Sequence, residues 1–412
     1  MSLELPAPHA RHPYFDVADD CLTVAGRSIV DVAAQAGNTP FYAYSRQYLS
    51  ERVDLLRRTL PAQVHLHYAI KANPMPAVVR HIAPLVDGLD VASAREMQVA
   101  LDAGVAPALI SFAGPGKTPD ELARAVAAGI VLNVESELEV ERLAAIAQRT
   151  GRKPQVAVRV NPDFELKTSG MKMGGGPKQF GVDAERVPAL LERIGRLPLA
   201  FVGFHIFSGS QNLRAEAIVE AQQKSVALGI ELARAAPAPV RTLNIGGGFG
   251  IPYFPNEQPL DLAPISANLA QVVADAARQL PQAQLVIELG RYLVGEAGIY
   301  VCRVLDRKIS RGQVFLVTDG GLHHHLAASG NFGQVLRKNY PVVIGNRVRG
   351  QQREVASVVG PLCTPLDLLG ERMDLARAEV GDLVVVLQSG AYGYTASPHG
   401  FLSHPAPQEL LI

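Results

Sequence analysis

Lys71 closes the run His67-Tyr68-Ala69-Ile70-Lys71-Ala72-Asn73. The preceding residues alternate and are rich in β-formers, so 64–70 reads as a strand with an amine at its C-terminal end. Asn73-Pro74 then breaks the strand and opens a helix. A lysine at a strand end is by itself an ordinary solvated charge. Three later features change its meaning: Gly246-Gly247-Gly248, Glu288-Leu289-Gly290-Arg291 and Gly360-Pro361-Leu362-Cys363. Together they supply an amine, a phosphate cradle, a carboxylate beside a guanidinium, and a thiol. Pyridoxal phosphate needs that set of groups.

Each group has a plainer reading beside the chemical one. A Schiff-base lysine must be held rigidly and partly desolvated, which the end of a central strand provides. Gly246 to Gly250 lets backbone N–H groups approach a phosphate, although a glycine cluster alone is more simply a tight turn. A carboxylate at Glu288 would keep a pyridine nitrogen protonated, and otherwise pairs with Arg291. His205 either stacks on a cofactor ring or is a satisfied core histidine. Arg159 and Asn161 divide evenly between cofactor contact and a structural network. Gly174-Gly175-Gly176-Pro177-Lys178 lacks the Gly-Lys-Ser/Thr of a phosphate loop and reads as a mobile segment, with Met171 and Met173 as adaptable contacts. His323-His324-His325 is a poor chelator, because neighbours on a strand point to opposite faces, so no metal is expected.

The elements that must position these groups alternate from about residue 40 to 295. Strands are expected at 64–70, 88–92, 108–112, 130–134, 155–161, 200–207, 241–245 and 284–288. Helical periodicity is clearest at 93–103, 118–128, 137–149, 213–235 and 262–280. Eight strand–helix units are what a (β/α)8 barrel requires, with a doubly wound open sheet as the competing architecture. Polar groups follow nearly every strand: Lys71, Asp90 and Ser93, Glu135, Arg159 and Asn161, His205 and Ser208, Gly246 to Gly248, Glu288 and Arg291. A closed barrel gathers those ends around one mouth, and the seventh-strand position of the glycines suits a phosphate site. The expected organisation is a barrel over 36–295. Residues 1–35 and 296–412 then form a mostly antiparallel β domain, with strands at 301–309, 314–319, 354–359 and 383–388 and added strands from Cys21 to Val24.

Bulk properties agree with a globular enzyme. The 412 residues exceed one core, 48% are hydrophobic, and 39 basic side chains balance 39 acidic ones. No basic block recommends nucleic acid or an anionic membrane as partner. Neither a signal peptide nor a spanning segment is expected. Cys21, Cys302 and Cys363 have no paired spacing, which fits a reducing cytosol.

These motifs resemble, across essentially the whole chain, the fold type III pyridoxal-phosphate decarboxylases, the family of ornithine, arginine and diaminopimelate decarboxylases. Tyr68 to Asn73 looks like the family's cofactor-lysine motif, His205 to Ser210 like its ring-stacking segment, and Gly246 to Gly250 like its phosphate loop. Glu288 with Gly290-Arg291 resembles its pyridine-nitrogen and phosphate segment. The resemblance implies that Asp90 and Glu96 support the lysine and cofactor, that Tyr392 touches the cofactor, and that Cys363 enters the site from a partner subunit. A homodimer with two shared sites follows. So does an amino-acid α-decarboxylase in which Cys363 returns a proton to Cα and in which Arg291, His324, Cys363, Thr364 and Tyr392 meet the substrate.

One departure bears on the substrate. Ornithine and diaminopimelate enzymes carry an acidic residue just after this cysteine, whereas Thr364-Pro365 follows here. His323-His324-His325 stands where diaminopimelate enzymes place an arginine. The Met171-Lys172-Met173-Gly174-Gly175 and Pro361-Leu362-Cys363-Thr364-Pro365 runs look closest to a subgroup acting on a glutamyl group tethered to an acyl carrier protein, as in butirosin biosynthesis, with similar relatives in exopolysaccharide gene clusters. The expected substrate has a neutral or carrier-tethered distal end, and Lys167, Lys172 and Lys178 suit an acidic carrier. Free diaminopimelate, ornithine or lysine is the alternative. An amino-acid racemase on the same barrel and a non-catalytic pyridoxal-phosphate-binding regulatory protein are the rivals.

Overall fold

The computed structural model describes residues 9–10, 15–164, 171–172, 174–334 and 336–412. The chain divides into two compact units: Arg52–Gly250 with Leu260–Gly290, and Met1–Glu51 with Ile251–Pro259 and Arg291–Ile412.

In the first unit, eight parallel strands close a ring among the described residues. In chain order they are Val64–Ala69, Gly88–Val91, Ile110–Phe112, Val131–Val134, Gln155–Asn161, Ala200–Ile206, Thr242–Gly247 and Gln284–Leu289. Each pairs with the next, and the eighth pairs with the first in parallel register, Glu288 opposite His67. The expected barrel is therefore closed, and the open sheet is excluded. Helices follow the strands at Pro76–Ile82, Ala94–Asp102, Pro119–Ala128, Glu137–Thr150, Val187–Gly195, Ala215–Ala233 and Ala263–Gln279.

Local sequence explains where these helices begin and stop. The Ser93, Thr118 and Ser136 hydroxyls each accept the backbone N–H three residues on, and Glu121 completes a capping box with Thr118. Gly129 and Gly151 end their helices in the left-handed region, at φ 81° and 68°. Leu89, Phe112, Leu132, Val158, Leu243 and Ile287 are buried on the strands, each burial worth about 1.5–3 kcal/mol.

The second unit carries a mostly antiparallel sheet in the order Val342–Ile344, Leu383–Val386, Gly298–Ser310, Gln313–Thr318, Arg353–Val359, Leu368–Ala376. Phe41–Tyr44 pairs with Gly298–Ser310 and with Gln408–Leu411. Phe41–Tyr44, inside the expected 36–295 segment, is thus paired with a strand more than 250 residues later. Ile251–Pro259 also belongs to this unit rather than to the barrel. The strand Cys21–Val24 forms its own three-stranded sheet with Val17–Ala18 and Arg27–Ser28, instead of extending the larger one. Leu22, Val24, Ile29, Val32, Phe41, Ile299, Val301 and Val385 share one core, and Leu22 N–H donates to Gly345 O at 2.7 Å beside the larger sheet's edge.

Candidate active site

At the first strand's end the chain turns into one 3-10 turn, Ile70–Ala72, which carries Lys71. The turn is fixed from both sides. Tyr68 Oη donates to Asn73 O at 2.7 Å, Asn73 N–H donates to Ile70 O at 3.0 Å, and Asn73 Oδ1 accepts from Met75 N–H at 3.1 Å. Each such bond contributes about 1 kcal/mol, and together they remove the freedom of the loop. Gly290 packs against this turn, where a Cβ would come within 3.0 Å of Ala72 Cβ.

Register brings the other groups alongside. Arg159 is opposite His205, His205 opposite Asn244, Gly247 opposite Glu288, and Ala69 opposite Asp90. Lys71 Nζ lies 3.7 Å from Glu288 Oε1, and His205 Nε2 lies 2.9 Å from Glu288 Oε2. The lysine side chain is 43% exposed and that of Glu288 only 6%, so the amine is open to solvent while its counter-ion is largely shielded from it. Burial alone would raise the Glu288 pKa. The Lys71 ammonium and the His205 hydrogen bond overcome it and hold the carboxyl well below the usual carboxylate range.

Gly246 and Gly248 have φ of 68° and 74°, which L side chains rarely adopt. A Cβ on Gly247 would meet Glu288 O at 2.4 Å, and one on Gly248 would meet Gly209 O at 2.6 Å. Gly246 N–H donates to Asn244 Oδ1 at 2.8 Å. The loop must be bare backbone, laid directly on the strand that carries Glu288.

Asp90 Oδ1 accepts from Ser111 Oγ at 2.5 Å and lies 3.3 Å from His67 Nδ1. Glu96 caps its own helix by accepting from Ala92 N–H at 2.7 Å. Burial raises its pKa, while Ala92 and the Lys71 charge oppose the rise. Ser208 is buried just before Gly209–Ser210, which pairs with Met171–Lys172. Arg159 Nη1 donates to Glu135 Oε1 at 2.9 Å, and Phe180 covers its guanidinium at 5.1 Å. Asn161 Nδ2 donates to Gly176 O and Asp183 Oδ1. For both residues the geometry favours the network reading, since they tie the 174–183 segment to the barrel. Lys167 and Met173 lie outside the described residues, and Met171 and Lys172 are described only in their backbone.

In the second unit, Arg291 Nη1 donates to Tyr253 Oη at 2.8 Å and its guanidinium lies 4.7 Å from the Tyr392 ring. Tyr392 has φ 54°, a strained position of the kind found where a side chain must be aimed. Cys363 is exposed. Its turn is pinned by Asp367, which accepts from Leu322 N–H at 2.6 Å and Leu362 N–H at 2.8 Å. The sequence reading passed over Asp367, and no local signal marks it.

His324, expected to meet the substrate, is turned into the core. It is 1% exposed. Nε2 donates to Pro405 O at 2.8 Å, and Nδ1 accepts from Tyr300 Oη at 3.2 Å, so both ring nitrogens are spent on the core. The segment is also a turn rather than a strand, so the three rings do not alternate, and those of His323 and His324 lie 3.6 Å apart. Among the described residues no group of His, Cys, Asp or Glu side chains is arranged to hold a metal ion.

The barrel residues fit pyridoxal phosphate. An accessible amine, a buried anion and a glycine loop with no room for side chains occupy adjacent strand ends. His205 Nδ1 adds a buried polar atom with no partner.

The model of the pyridoxal-dependent decarboxylase pyridoxal binding domain matches residues 46–295. The L-glutamyl-(BtrI acyl-carrier protein) decarboxylase of Niallia circulans is 39% identical over 380 residues, 90% of this chain and 88% of that protein. The diaminopimelate decarboxylase of Aquifex aeolicus is 33% identical, over 97% of this chain and 93% of its own length. The crystal structure of the M. jannaschii diaminopimelate decarboxylase with L-lysine superposes with a TM-score of 0.88 at 24% identity, covering 97% of this chain and 93% of that one. The last match shows a shared fold.

Proposed function

The chain belongs to the pyridoxal-dependent decarboxylases, with pyridoxal phosphate as cofactor, and we propose that it removes the α-carboxylate of an amino acid whose distal end is neutral or tethered to a carrier protein. When bound, pyridoxal phosphate supplies the electron sink that lets the carboxylate leave as carbon dioxide. Lys71 would hold the cofactor's carbonyl end through its amine. Glu288, kept anionic and oriented by His205, would be the partner of the pyridine nitrogen. Gly246, Gly247 and Gly248 would hold the phosphate, and the family resemblance adds Arg291, with Tyr392 beside it, as cofactor contacts. Asp90 and Glu96 keep the charge around Lys71 balanced. Cys363 Sγ of a partner subunit gives a proton to the substrate's Cα, so the working form is a homodimer with shared sites. Borohydride treatment should fix the cofactor to the peptide holding Lys71, in a protein absorbing at about 420 nm. Fixation at Lys178 would overturn the assignment.

The substrate reading is carried by the turn after Cys363. Between Pro361 and Leu368 the one carboxylate is Asp367, and it is buried on the Leu322 and Leu362 N–H groups. Thr364 offers a neutral hydroxyl that already accepts from Leu366 N–H at 3.3 Å. A distal ammonium brought here would find no counter-ion, a cost of several kcal/mol when desolvated. The glutamyl-carrier relative, at 39% identity, supports the same reading. An acidic carrier would meet Lys167, Lys172 and Lys178. No described helix is long and apolar enough to cross a membrane, and with three unpaired cysteines we place the enzyme in the cytosol.

Carbon dioxide release, screened over free and carrier-tethered amino acids, tests this. Tethered glutamyl substrate should turn over and ornithine, lysine and diaminopimelate should not. Efficient release from free meso-diaminopimelate with tethered substrates inert would favour the Aquifex-like reading instead. Release from nothing would favour a non-catalytic cofactor-binding protein.

A further inference from the structure

The interior of a closed barrel is ordinarily filled by layers of branched apolar side chains. Here small and polar side chains stand among the apolar ones, beside Val86, Leu109, Ile110, Val131, Phe204 and Val286. His65, His67, Ser111, Asn133, Ala157, Thr242, Asn244 and Gln284 line a cavity of about 400 Å³ inside the barrel unit. A cavity of that size has room for water beside its polar walls.

A hydrogen-bonded chain leads from these walls to the level of the site. Asn133 Nδ2 donates to Ser111 Oγ at 3.1 Å, Ser111 Oγ donates to Asp90 Oδ1 at 2.5 Å, and His67 Nδ1 lies 3.3 Å from the same oxygen. Asp90 stands opposite Ala69, two residues before Lys71. The His67 ring edge lies over Gly88, where a Cβ would come within 2.5 Å of Nε2, so the ring has one place to sit. Asp90 is buried and its Oδ2 has no partner. A buried carboxylate oxygen in that position calls for a counter-ion close by.

We propose that His67 is a positioning residue: an imidazolium, solvated from the barrel cavity, that holds Asp90 as an oriented carboxylate beneath Lys71. The groups around the ring agree. Asp90 faces it from the second strand, Glu288 from the eighth, Asp87 from the preceding turn, and His65 shares its cavity wall. Burial opposes charge on the ring, but Asp90, with Glu288 and Asp87 behind it, raises the His67 pKa above the ordinary histidine value. Lys71 is in turn flanked by Glu288 and feels Glu96. The ion pair thus places a fixed negative group near the lysine without a second free charge.

The inference rests on reading the Lys71 mouth as the cofactor site, but its main test does not. In the wild-type protein, nitrogen NMR of the His67 ring at neutral pH should show both nitrogens protonated, and a neutral ring overturns the proposal. Infrared spectroscopy of His67→Phe, without cofactor, should reveal one protonated carboxyl absent from the wild type. That band should vanish in His67→Phe/Asp90→Asn. No new band, or one that survives in the double variant, also overturns it. In the loaded enzyme, His67→Phe and Asp90→Asn should each lower kcat by about tenfold or more, with the double variant no worse than the poorer single one. Additive losses would mean that the two residues act separately. If His67→Phe does not fold, the wild-type NMR decides. A wild type that binds no cofactor, yet shows the imidazolium, would refute the functional reading and leave the ion pair standing.

Discussion

His205 Nε2 and Lys71 Nζ approach opposite oxygens of Glu288, at 2.9 Å and 3.7 Å. One carboxylate therefore orients the histidine and sets the charge next to the lysine. Its pKa is held low, so Glu288 is ionised throughout the working range and does not itself produce an acid limb in a pH–rate profile. The sign for stability follows. A depressed folded-state pKa stabilises the native state above the unfolded value of about 4.3, and that contribution is lost as pH falls below it.

Glu288→Gln keeps the shape and removes the charge. The variant should still bind cofactor through Lys71 and the glycine loop, yet lose about 10²–10³-fold in kcat, the range for removing one preorganised electrostatic partner. Single-turnover carbon dioxide release with the cofactor absorbance recorded in parallel separates the two effects. Unchanged turnover in a loaded Glu288→Gln enzyme would remove the carboxylate from the mechanism.

Lys71→Ala and Cys363→Ala provide the test of shared sites. Each should lack normal turnover alone. Mixed and allowed to exchange, they should recover up to about a quarter of wild-type activity per site, because random pairing gives half heterodimers with one intact site each. Verified exchange with no recovery would place the thiol and the amine on one chain, or take Cys363 out of the reaction.

The buried histidines give a pH prediction of the opposite kind. Burial pushes His323 and His325 down to about 3 and His324 down to about 4, with neighbouring rings adding to the effect for the first two of the run. The unfolded chain takes up these protons near its ordinary value of about 6.5, so it binds more protons than the native state below that pH. Stability should therefore fall from about pH 6.5 toward pH 4, by up to about 1.4 kcal/mol per pH unit for each ring. Urea unfolding midpoints across this range measure the slope. His323→Phe should flatten it, because that ring is wholly buried with neither nitrogen partnered. An unchanged slope would show that other groups govern acid lability.

Much of this was legible in the sequence because it is local. The eight barrel strands are short apolar runs punctuated by turns, and Lys71, Gly246 to Gly248 and Glu288 announce themselves by position after a strand. What was hidden depends on pairing across the chain. Phe41–Tyr44 is buried along its whole length, so it shows no alternation, and its partner Gly298–Ser310 is fixed only by the fold. Gln408–Leu411 likewise owes its strand form to Phe41–Tyr44, far up the chain. The expectation for His324 came from the family resemblance, in which the run His323-His324-His325 stands where diaminopimelate enzymes place an arginine. Only packing against Tyr300 and Pro405 reveals a core residue. The His67–Asp90 pair needs the register of two strands to be seen at all.

Asp367 is the other residue that only the fold exposes, and it gives the sharpest local prediction. One oxygen accepts from Leu322 N–H and the other from Leu362 N–H, so a single side chain fastens the turn after Thr318 to the turn bearing Cys363. Gly321 and Gly360 leave room for it, since a Cβ at either would come within 2.1 Å and 2.3 Å of its oxygens. Asp367→Asn keeps one acceptor and puts an amide donor against a backbone donor. Leaving one buried N–H unmet costs about 1–3 kcal/mol. Thermal denaturation should register that loss, and the freed turn should make Cys363 more reactive toward a thiol reagent in the folded protein. Asp367→Ala should go further in both respects, because both N–H groups then lose their acceptor. If both variants keep wild-type melting temperature and thiol reactivity, the carboxylate is not what holds the Cys363 turn in place.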